Sequence, residues 1–462
     1  MSCSQRACID GEELELSQPS RLVTLVVISG LRGDEIERFK PLWRYGFKTL
    51  LDQGHYYSKA IHRRGRTDSA SGQATLGTGV SPKNHGIIND RLFYPPQNKV
   101  LEVCGIWKSF CGAGLLTHPT FAERLKKHSP DSKVVVLGGS RQFSELIAAD
   151  SSDFSLWFSS SDFGLDGKSG SKEAEVPAWA ERYFETIASP DRISRIWELP
   201  TVPRPFSSWN DFRPGEWDAG HGVIFPHRLT AGDRPLLWEQ WNRTPDADRV
   251  IADLGSHLVS KLKLGGDEVV DYLVIGFSAL SAIGQDYGPY SLERISALIE
   301  LDRVIGDFLL SIEKATGKST LVGITADHGI APLPEEAVRQ KKKGARVVPQ
   351  ELVEHLNETM LQRFGTLDYL QAINFPFLHL KEIPPASKEE VTQVAVNALR
   401  EHPAVYKAWA INSIEADSDP IAGAMVESIV PGKSGELALV LRPFQMMRSS
   451  VRESSGTSHG SP

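Results

Sequence analysis

Asp327 and His328 are the residues of this 462-residue chain whose types and spacing point most directly to chemistry. They stand side by side in the stretch TADHG, directly after an apolar run. An adjacent carboxylate and imidazole on a glycine-containing turn can face one cation, and this oxygen–nitrogen pair suits Zn²⁺. Taken alone, such a pair is more often a capping carboxylate beside a surface histidine. The apolar run before it, which is typical of a buried strand, strengthens the prediction of a metal site.

Two further stretches hold polar residues that could take part in chemistry. Residues 66–90, RTDSASGQATLGTGVSPKNHGIIND, are dense in Ser, Thr and Gly and could place a hydroxyl at a helix N-terminus, which favours an anion. The alternative is a polar loop with an ordinary helix cap. In FSALSAIGQDYGPYS, Ser281 and Gln285 are spaced to share one helical turn, but both are neutral and weak ligands.

The elements that must position these residues are strands and helices in alternation. Runs that are apolar on both faces are typical of strands buried in a parallel sheet, and five occur, at 22–28, 133–138, 269–277, 319–325 and 436–441. Helical patterns lie between them. We therefore predict an α/β fold with a doubly wound, mostly parallel sheet flanked by helices. The polar stretches follow the strands, at the edge where such sheets keep their ligand sites.

Composition shifts divide the chain into six predicted segments. They are a polar leader (1–20), a first core part (21–150), an irregular cap insertion (151–265), a second core part (266–339), a small α+β insertion (340–435) and a return to the core for which truncation is one expectation (436–462).

Charge and hydropathy exclude several function classes. A net charge of -7 at pH 7 argues against nucleic-acid binding, and no apolar run approaches the ~20 residues that a membrane span requires. The N-terminus lacks an apolar signal-peptide segment, which predicts a cytoplasmic protein as written, or a periplasmic or secreted one if a leader is missing.

Four cysteines are too few for a disulfide scaffold, and we expect Cys104 and Cys111 to be reduced rather than paired.

Taken together and in this order, the motifs SGLRGDE, TGVSPKNHGIIND, FSALSAIGQDYGPYS, TADHGIAPLPE and GTSHGSP resemble the alkaline phosphatase superfamily. The branch they resemble is the type I phosphodiesterase/nucleotide pyrophosphatase group, with related bacterial phosphate-monoester hydrolases. The resemblance implies an alkaline-phosphatase-like fold. It also implies two Zn²⁺ ions that bind a phosphoryl group and activate a Thr or Ser nucleophile.

Residue by residue, the resemblance carries over only part of the family's site. The matched positions are the nucleophile Ser69, the substrate-binding Asn89 and Arg141, and the metal ligands Asp327, His328 and His459. The match of Asn89 is looser, because its segment is one residue shorter than in the family. Ser29 and Ser281 stand where the family has aspartate ligands, Gln285 where it has histidine, and Gly139 where the monoesterase branch has lysine.

The departures predict a degenerate metal centre that holds one zinc ion or none, because neutral hydroxyl and amide groups bind Zn²⁺ poorly. We therefore expect a catalytically impaired protein or a pseudoenzyme that still binds a phosphate ester or another anionic small molecule. The alternative is an active phosphomonoesterase or phosphodiesterase with one metal at Asp327 and His328 and with Ser69 as nucleophile. The remaining histidines of interest, His85, His221 and His227, are more often structural. The sequence makes no prediction of oligomeric state.

Overall fold

The computed structural model describes residues 6–9, 12–15, 20–105, 113–160, 162–170, 172–173, 175–230, 232–317, 320–366, 369–447 and 459–460. The strands in these ranges are β1 (Arg6–Ile9), β2 (Glu12–Glu15), β3 (Leu22–Ile28), β4 (Arg91–Tyr94), β5 (Lys99–Glu102), β6 (Val134–Gly138), β7 (Phe154–Phe158), β8 (Leu165–Ser169), β9 (Lys172–Glu173), β10 (Ile196–Trp197), β11 (His227–Arg228), β12 (Asp271–Phe277), β13 (Thr320–Thr325), β14 (Gly329–Ile330), β15 (Ala345–Val347), β16 (Leu370–Asn374), β17 (Phe377–Leu380), β18 (Val405–Ala410), β19 (Leu437–Leu441), β20 (Gln445–Met447) and β21 (His459–Gly460).

The helices of the same ranges are α1 (Gly33–Arg38), α2 (Gly46–Gln53), α3 (Ser69–Thr78), α4 (Pro82–His85), α5 (Phe121–His128), α6 (Arg141–Ala148), α7 (Ala178–Ala188), α8 (Arg234–Trp241), α9 (Pro245–Leu262), α10 (Ala279–Tyr287), α11 (Leu292–Thr316), α12 (Pro334–Arg339), α13 (Pro349–Phe364), α14 (Pro385–Glu401) and α15 (Pro420–Val426).

The main sheet has seven strands within the described residues, in the order β13-β3-β12-β6-β7-β8-β9. The pairings from β13 to β7 are parallel, and β8 and β9 continue the sheet antiparallel. β3, β6, β12 and β13 lie within one or two residues of the predicted strands. The predicted α/β class, with a mostly parallel sheet flanked by helices, is confirmed.

α11 is the longest helix of the described residues, and its ends follow the sequence signals at both termini. The Ser291 side chain accepts a hydrogen bond from Arg294 N and caps the first turn, and Gly317 follows the last residue with φ +68°. The helix packs against α9, and Ile251, Leu254 and Phe308 belong to one continuous buried cluster. α9 also packs against β12 and β6, so the two helices support the main sheet.

The segment predicted as an irregular cap contributes more regular structure than its sequence indicates. β7, β8 and β9 extend the main sheet, and the 18-residue helix α9 lies against α11. The strand FSLWF mixes serine with aromatic residues and lacks the β-branched run that marks the inner strands. Phe158 belongs to the same buried cluster as the core and contacts the rings of Trp238 and Trp241, and Phe154 packs against that cluster.

A second, smaller lobe is built on a four-stranded sheet in the order β16-β17-β19-β18. α13 and α14 pack together beside this sheet and share a separate buried cluster with it. The run ELALVL, predicted as a strand that returns to the core, lies in this sheet as β19. The run is apolar on both faces in either sheet, so its pattern does not distinguish the two locations.

Candidate active site

The register of the main sheet brings four strand ends to one edge. Phe277 of β12 pairs with Ile28 of β3, Gly276 pairs with Gly138 of β6, and Thr325 of β13 pairs with Val27. The residues that follow these strands therefore meet at a single edge of the sheet. They include Ser29, Arg141, Asp327, His328 and the first turns of α10, and we describe them in turn.

Asp327 is fully buried and is held by groups from three other segments. Its Oδ2 accepts hydrogen bonds from Ser29 Oγ at 2.8 Å and from Gln73 Nε2 at 3.1 Å, and the Arg64 guanidinium donates to its backbone carbonyl. Its other carboxylate oxygen, Oδ1, is buried and has no hydrogen-bond partner among the described residues. That oxygen lies 3.6 Å from His328 Nε2.

His328 is equally buried, and its two ring nitrogens make different contacts. Nδ1 lies 2.8 Å from the carbonyl oxygen of Gly329, which can only accept, so this nitrogen carries the proton when the ring is neutral. Nε2 then has a lone pair and lies 3.2 Å from Ser69 Oγ. The geometry assigns the tautomer in which Nε2 accepts the hydrogen bond that the Ser69 hydroxyl donates.

Helix α3 carries Ser69 at its first position and approaches the Asp327 turn closely because residue 72 is glycine. A Cβ at Gly72 would lie 2.8 Å from both the Asp327 Cβ and an Arg64 nitrogen. Such separations are shorter than van der Waals contact, so a side chain here would push α3 away. Gly72 thus sets the distance between the serine and the carboxylate.

The N-terminus of α3 is occupied by two carboxylates of the chain itself. Asp68 is the N-cap residue and accepts from the Ser71 amide at 3.3 Å and from Ser71 Oγ at 2.5 Å. Asp90 reaches the same turn from the following loop, and its Oδ1 accepts from the Ala70 amide at 2.6 Å. Desolvation and the neighbouring Asp68 raise the pKa of Asp90 to about 8.

The Asn89 amide nitrogen donates to Phe375 O at 2.7 Å and to Asn374 Oδ1 at 3.3 Å, both in the smaller lobe. The next residue, Asp90, was not singled out from the sequence, yet its carboxylate accepts from the Ala70 amide, one residue after Ser69. Asn89 and Asp90 are neighbours in one loop, so no sequence signal tells which of the two side chains meets α3.

Arg141 begins α6 and lies apart from the Asp327 turn, on the wall of an open cavity of about 1790 Å³. Its Nε donates to Glu145 Oε1 at 2.8 Å, and its guanidinium lies 5.9 Å from the centre of the Trp157 ring. The cavity is also lined by Gly139, Ser278 and Ala282, which belong to the same sheet edge. Gln142, the next residue of α6, donates to Gln73 Oε1 at 3.2 Å and connects the two parts of the site.

Helix α10 carries Ser281 and Gln285, the two neutral residues of the motif FSALSAIGQDYGPYS. Gln285 Nε2 donates to Ser281 Oγ at 3.2 Å, so the predicted sharing of one helical turn is realised. The first turn of α10 is capped by Asp248 of α9, whose carboxylate accepts from the amides of Ser278 at 2.9 Å and Ala279 at 3.1 Å. Desolvation raises the pKa of Asp248 to about 6.

His459 is described through its backbone alone. β21 pairs antiparallel with β14, with His459 opposite Ile330 and Gly460 opposite Gly329. This pairing places the C-terminal motif directly beside the turn that carries Asp327 and His328. The rest of the GTSHGSP motif lies outside the described residues.

Among the described side chains of the site, Asp327 and His328 are the donors that could meet one cation. Within the described ranges, no three His, Cys, Asp or Glu side chains are grouped closely enough to hold a cation. Asp327 Oδ1 and His328 Nε2 are compatible as two ligands of one ion, since their 3.6 Å separation suits bonds of about 2.0–2.1 Å to Zn²⁺. Ser281 and Gln285 supply no anionic or imidazole donor on the other side.

The remaining histidine candidates make structural contacts. His85 is buried and interacts with Thr75 Oγ1, and burial lowers the pKa of this histidine to about 3. His221 and His227 lie in the cap, where His227 contacts Glu293 Oε1 at 3.1 Å and His221 contacts Tyr287 Oη at 3.1 Å.

Cys104 lines the cavity and is disulfide-bonded, so the prediction of reduced thiols is wrong for this residue. Cysteine number and spacing do not report which thiols the fold brings together. Cys111, the other cysteine expected to be reduced, lies outside the described residues. Among the described helices, none combines the length and apolar composition needed to cross a bilayer.

Comparisons with known proteins agree with this architecture. The chain matches the family model described as type I phosphodiesterase / nucleotide pyrophosphatase over residues 23–414. It is 24% identical to the alkaline phosphatase PhoD of Zymomonas mobilis subsp. mobilis over 457 residues, which cover 92% of this chain and 76% of the relative. It is 22% identical to the alkaline phosphatase PafA of Elizabethkingia meningoseptica over 473 residues, which cover 95% and 84%.

A crystal structure of wild-type alkaline phosphatase PafA matches the fold with a TM-score of 0.82 at 19% sequence identity. The match covers 96% of this chain and 88% of that chain. The predicted alkaline-phosphatase-like fold is thereby confirmed.

Proposed function

Because the chain belongs to the type I phosphodiesterase/nucleotide pyrophosphatase family of the alkaline phosphatase superfamily, we propose that it is a phosphate-ester hydrolase scaffold whose catalysis is impaired or lost. The observation that carries this proposal is the pair of hydrogen bonds from Ser29 and Gln73 to Asp327 Oδ2. The neutral side chains of Ser29 and Gln73 therefore donate to a carboxylate oxygen that the family resemblance expects to bind a metal ion.

The polar groups around Asp327 explain how a buried carboxylate is tolerated with little help from a metal. A carboxylate that accepts several hydrogen bonds retains its charge at a lower desolvation cost. The buried Arg64 guanidinium, which contacts the Asp327 carbonyl, adds a positive charge nearby. An aspartate at position 29 would instead place a second carboxylate against the first.

The second half of the proposed bimetal centre is weaker still. Ser281 and Gln285 are neutral and hydrogen-bond to each other, so the ligands that the resemblance expects at this position have been replaced. His459 is the one remaining candidate for that half. A single imidazole holds Zn²⁺ too weakly for a resident ion, because tight sites need several strong donors.

We propose that binding of a phosphate ester or another small anion persists, with Arg141 as its principal contact. The guanidinium lines the open cavity beside the sheet edge, and its planar donors suit a phosphoryl group. Ser69 and His328 retain the hydrogen bond that polarises the serine hydroxyl toward the imidazole. Such a pair alone contributes about 10²–10⁴ in rate as general-base help, far below what a metal-assisted phosphatase achieves.

The second candidate is a hydrolase that uses one metal at Asp327 and His328, with Ser69 as nucleophile. Asp327 Oδ1, which lies beside His328 Nε2 and has no hydrogen-bond partner within the described part of the chain, specifically favours this candidate, since a buried oxygen without a partner is costly. A bound zinc ion would supply Lewis-acid stabilisation of the phosphoryl group and of the serine alkoxide. In this candidate the Nδ1 hydrogen bond to Gly329 O orients the His328 ring, and Ser69 Oγ lies 3.2 Å from His328 Nε2.

Metal analysis and turnover on p-nitrophenyl phosphate and bis-p-nitrophenyl phosphate separate the two candidates. The leading proposal expects substoichiometric zinc and no turnover even when Zn²⁺ is added. Stoichiometric zinc, with turnover that Ser69→Ala abolishes, would establish the single-metal hydrolase and overturn the leading proposal.

We propose that the protein works in an oxidising compartment, because Cys104 is disulfide-bonded and such bonds persist outside the reducing cytoplasm. The proposal includes a small anionic ligand and no nucleic acid, in line with the net charge of -7. A thiol titration of the denatured protein, with and without prior reduction, tests the disulfide. Four free thiols without reduction would contradict it.

A further inference from the structure

Asp90 holds a position that neither the family match nor the residue pattern assigns. It comes from the loop after α4, and its carboxylate accepts the Ala70 amide at 2.6 Å, one residue beyond Ser69. Its own amide donates to Asp68 Oδ2 at 2.9 Å, which fixes the loop against the helix. As a whole residue, Asp68 is buried and Asp90 is only partly buried, so Asp90 lies nearer to the surface of the site.

The surroundings of Asp90 are built to receive negative charge. The amides at the start of a helix favour an anion, and α3 has ten residues. Arg64 is buried against the same turn, donates to Ser71 Oγ at 3.4 Å, and its Nε has no partner among the described residues. Arg66 Nε lies 3.5 Å from Asp68 Oδ2. These cations and amides are what a tetrahedral oxyanion beside Ser69 would use.

We infer that the Asp90 carboxylate is an internal occupant of the oxyanion position beside Ser69 and excludes external oxyanions from it. The inference rests on the proposed function, because that function assigns an anion to this edge of the sheet. Asp90 acts in two ways. Its carboxylate accepts the hydrogen bond of the Ala70 amide, which is then not available to an external anion. When ionised, it also adds a negative charge beside Asp68 and Asp327, which disfavours a further anion. Asp90 is therefore a specificity-determining residue of the site.

The charged groups that face Asp90 support this role. Asp68 and Asp327 act against its ionisation, whereas Arg64 and Arg66 favour it. Since the pKa of Asp90 is about 8, the carboxylate form predominates at pH 9. Exclusion of an anion is expected to be strongest under those conditions.

Sulfate binding at pH 9, followed by isothermal titration calorimetry, tests the inference. Sulfate remains a dianion at this pH and is not hydrolysed, so its affinity does not depend on turnover. We expect Asp90→Asn to bind sulfate roughly tenfold or more tightly than the natural protein, because the isosteric amide removes the charge and can donate to the anion.

Asp271→Asn is the matched control. Asp271 is a buried carboxylate that, like Asp90, accepts hydrogen bonds from the backbone, here from the amides of Lys133 at 2.7 Å and Gly265 at 2.9 Å. It begins β12 and so lies at the opposite end of the strand from Ser278, roughly 20 Å away. Its substitution should leave sulfate affinity unchanged.

Equal sulfate affinity in Asp90→Asn and the natural protein would overturn the inference, as would an equal gain in Asp271→Asn. Thermal unfolding of each variant establishes that it is folded, and Asp90→Ser provides a second neutral residue if the asparagine variant is not. The metal analysis proposed above tests the proposed function independently. A zinc-loaded protein with an Asp90 effect would reject the degenerate centre while retaining the role of Asp90.

Discussion

The two sides of the site differ in how their polar groups are arranged. On the side of β13, Asp327 and His328 are charged or chargeable, fully buried, and tied to Ser29, Gln73, Arg64 and Ser69. On the side of α10, Ser281 and Gln285 are neutral and hydrogen-bond to each other. The buried carboxylate lies where donors from several segments converge, whereas the α10 side presents two neutral side chains bonded to each other.

Restoring the charged residues on both sides tests this comparison with the largest expected effect. The triple variant Ser29→Asp, Ser281→Asp, Gln285→His should bind Zn²⁺ at least about a thousandfold more tightly than the natural protein, equivalent to ~4 kcal/mol. The reason is that it regains anionic and imidazole donors around Asp327 and His328. Competition titration with a zinc indicator measures the affinity.

The matched control replaces the two new aspartates by asparagines and keeps Gln285→His. It preserves side-chain volume and lacks the charge, so it should gain little affinity. If the aspartate variant gains none either, the assignment of these three positions to the metal centre is wrong.

The charged side alone is probed by Ser29→Asp in metal-free buffer. The new carboxylate would face Asp327 Oδ2 at the site of a 2.8 Å hydrogen bond. We expect the free energy of unfolding to fall by roughly 3 kcal/mol, since the like charges are buried together. Urea unfolding measures this loss, and added Zn²⁺ should recover part of it.

Ser29→Asn, of nearly the same volume as aspartate, is the control for Ser29→Asp. It should lose less stability and show no response to zinc. Equal stability of the two variants would mean that the pocket relaxes enough to separate the carboxylates.

Asp90 makes the charged side sensitive to pH. Its pKa in the folded protein, about 8, lies above the ordinary aspartate value of 3.8. The folded state therefore binds the proton more tightly, and this contribution to stability is lost as the pH rises from about 4 through 8. Asp90→Asn removes the effect. Between pH 6 and pH 9, the natural protein should lose roughly 2 kcal/mol relative to Asp90→Asn.

Urea unfolding of the two proteins at several pH values measures that difference. Glu216 and Asp248, whose raised pKa values of about 9 and about 6 act in the same direction, are present in both proteins and cancel. Parallel stability profiles would show that Asp90 titrates as it does in the unfolded chain.

The smallest expected effects come from replacing one glutamine by alanine on each side of the site. Gln73→Ala removes a donor to the buried Asp327 carboxylate and should cost about 2 kcal/mol of unfolding free energy. Gln285→Ala removes a neutral hydrogen bond at a partly exposed position and should cost about 0.5 kcal/mol. Chemical unfolding measures both. The comparison fails if the second cost equals or exceeds the first.

Much of the fold was accessible from the sequence because the inner strands have an unambiguous pattern. The runs at 22–28 and 269–277 are apolar on both faces and end in polar motifs, so they predict both the sheet and its ligand edge. The run at 436–441 has the same pattern but lies in the smaller lobe. Local hydrophobicity predicts that a segment is a buried strand, whereas the sheet that it joins depends on the whole chain.

The candidate site shows the same limit at the scale of single residues. Asp327, His328 and Ser69 lie together as the motifs suggested, since each follows a strand or begins a helix at one edge. Asn89 and Asp90 are neighbours in a loop, and spacing cannot tell which side chain faces the helix. Donors from distant segments, such as Gln73 to Asp327, are likewise set by packing and have no short-range signal.

The cavity beside Arg141 has aromatic walls, and this gives the protein an optical property. Trp157 and Trp238 both line the cavity, and Trp238 stacks on Trp241 at a centroid distance of 5.0 Å. Indole emission depends on the polarity and charge around the ring, so a ligand that enters the cavity alters the fluorescence of the unlabelled protein. The fold thus carries its own reporter, through which its natural ligand can be recognised before its chemistry is known.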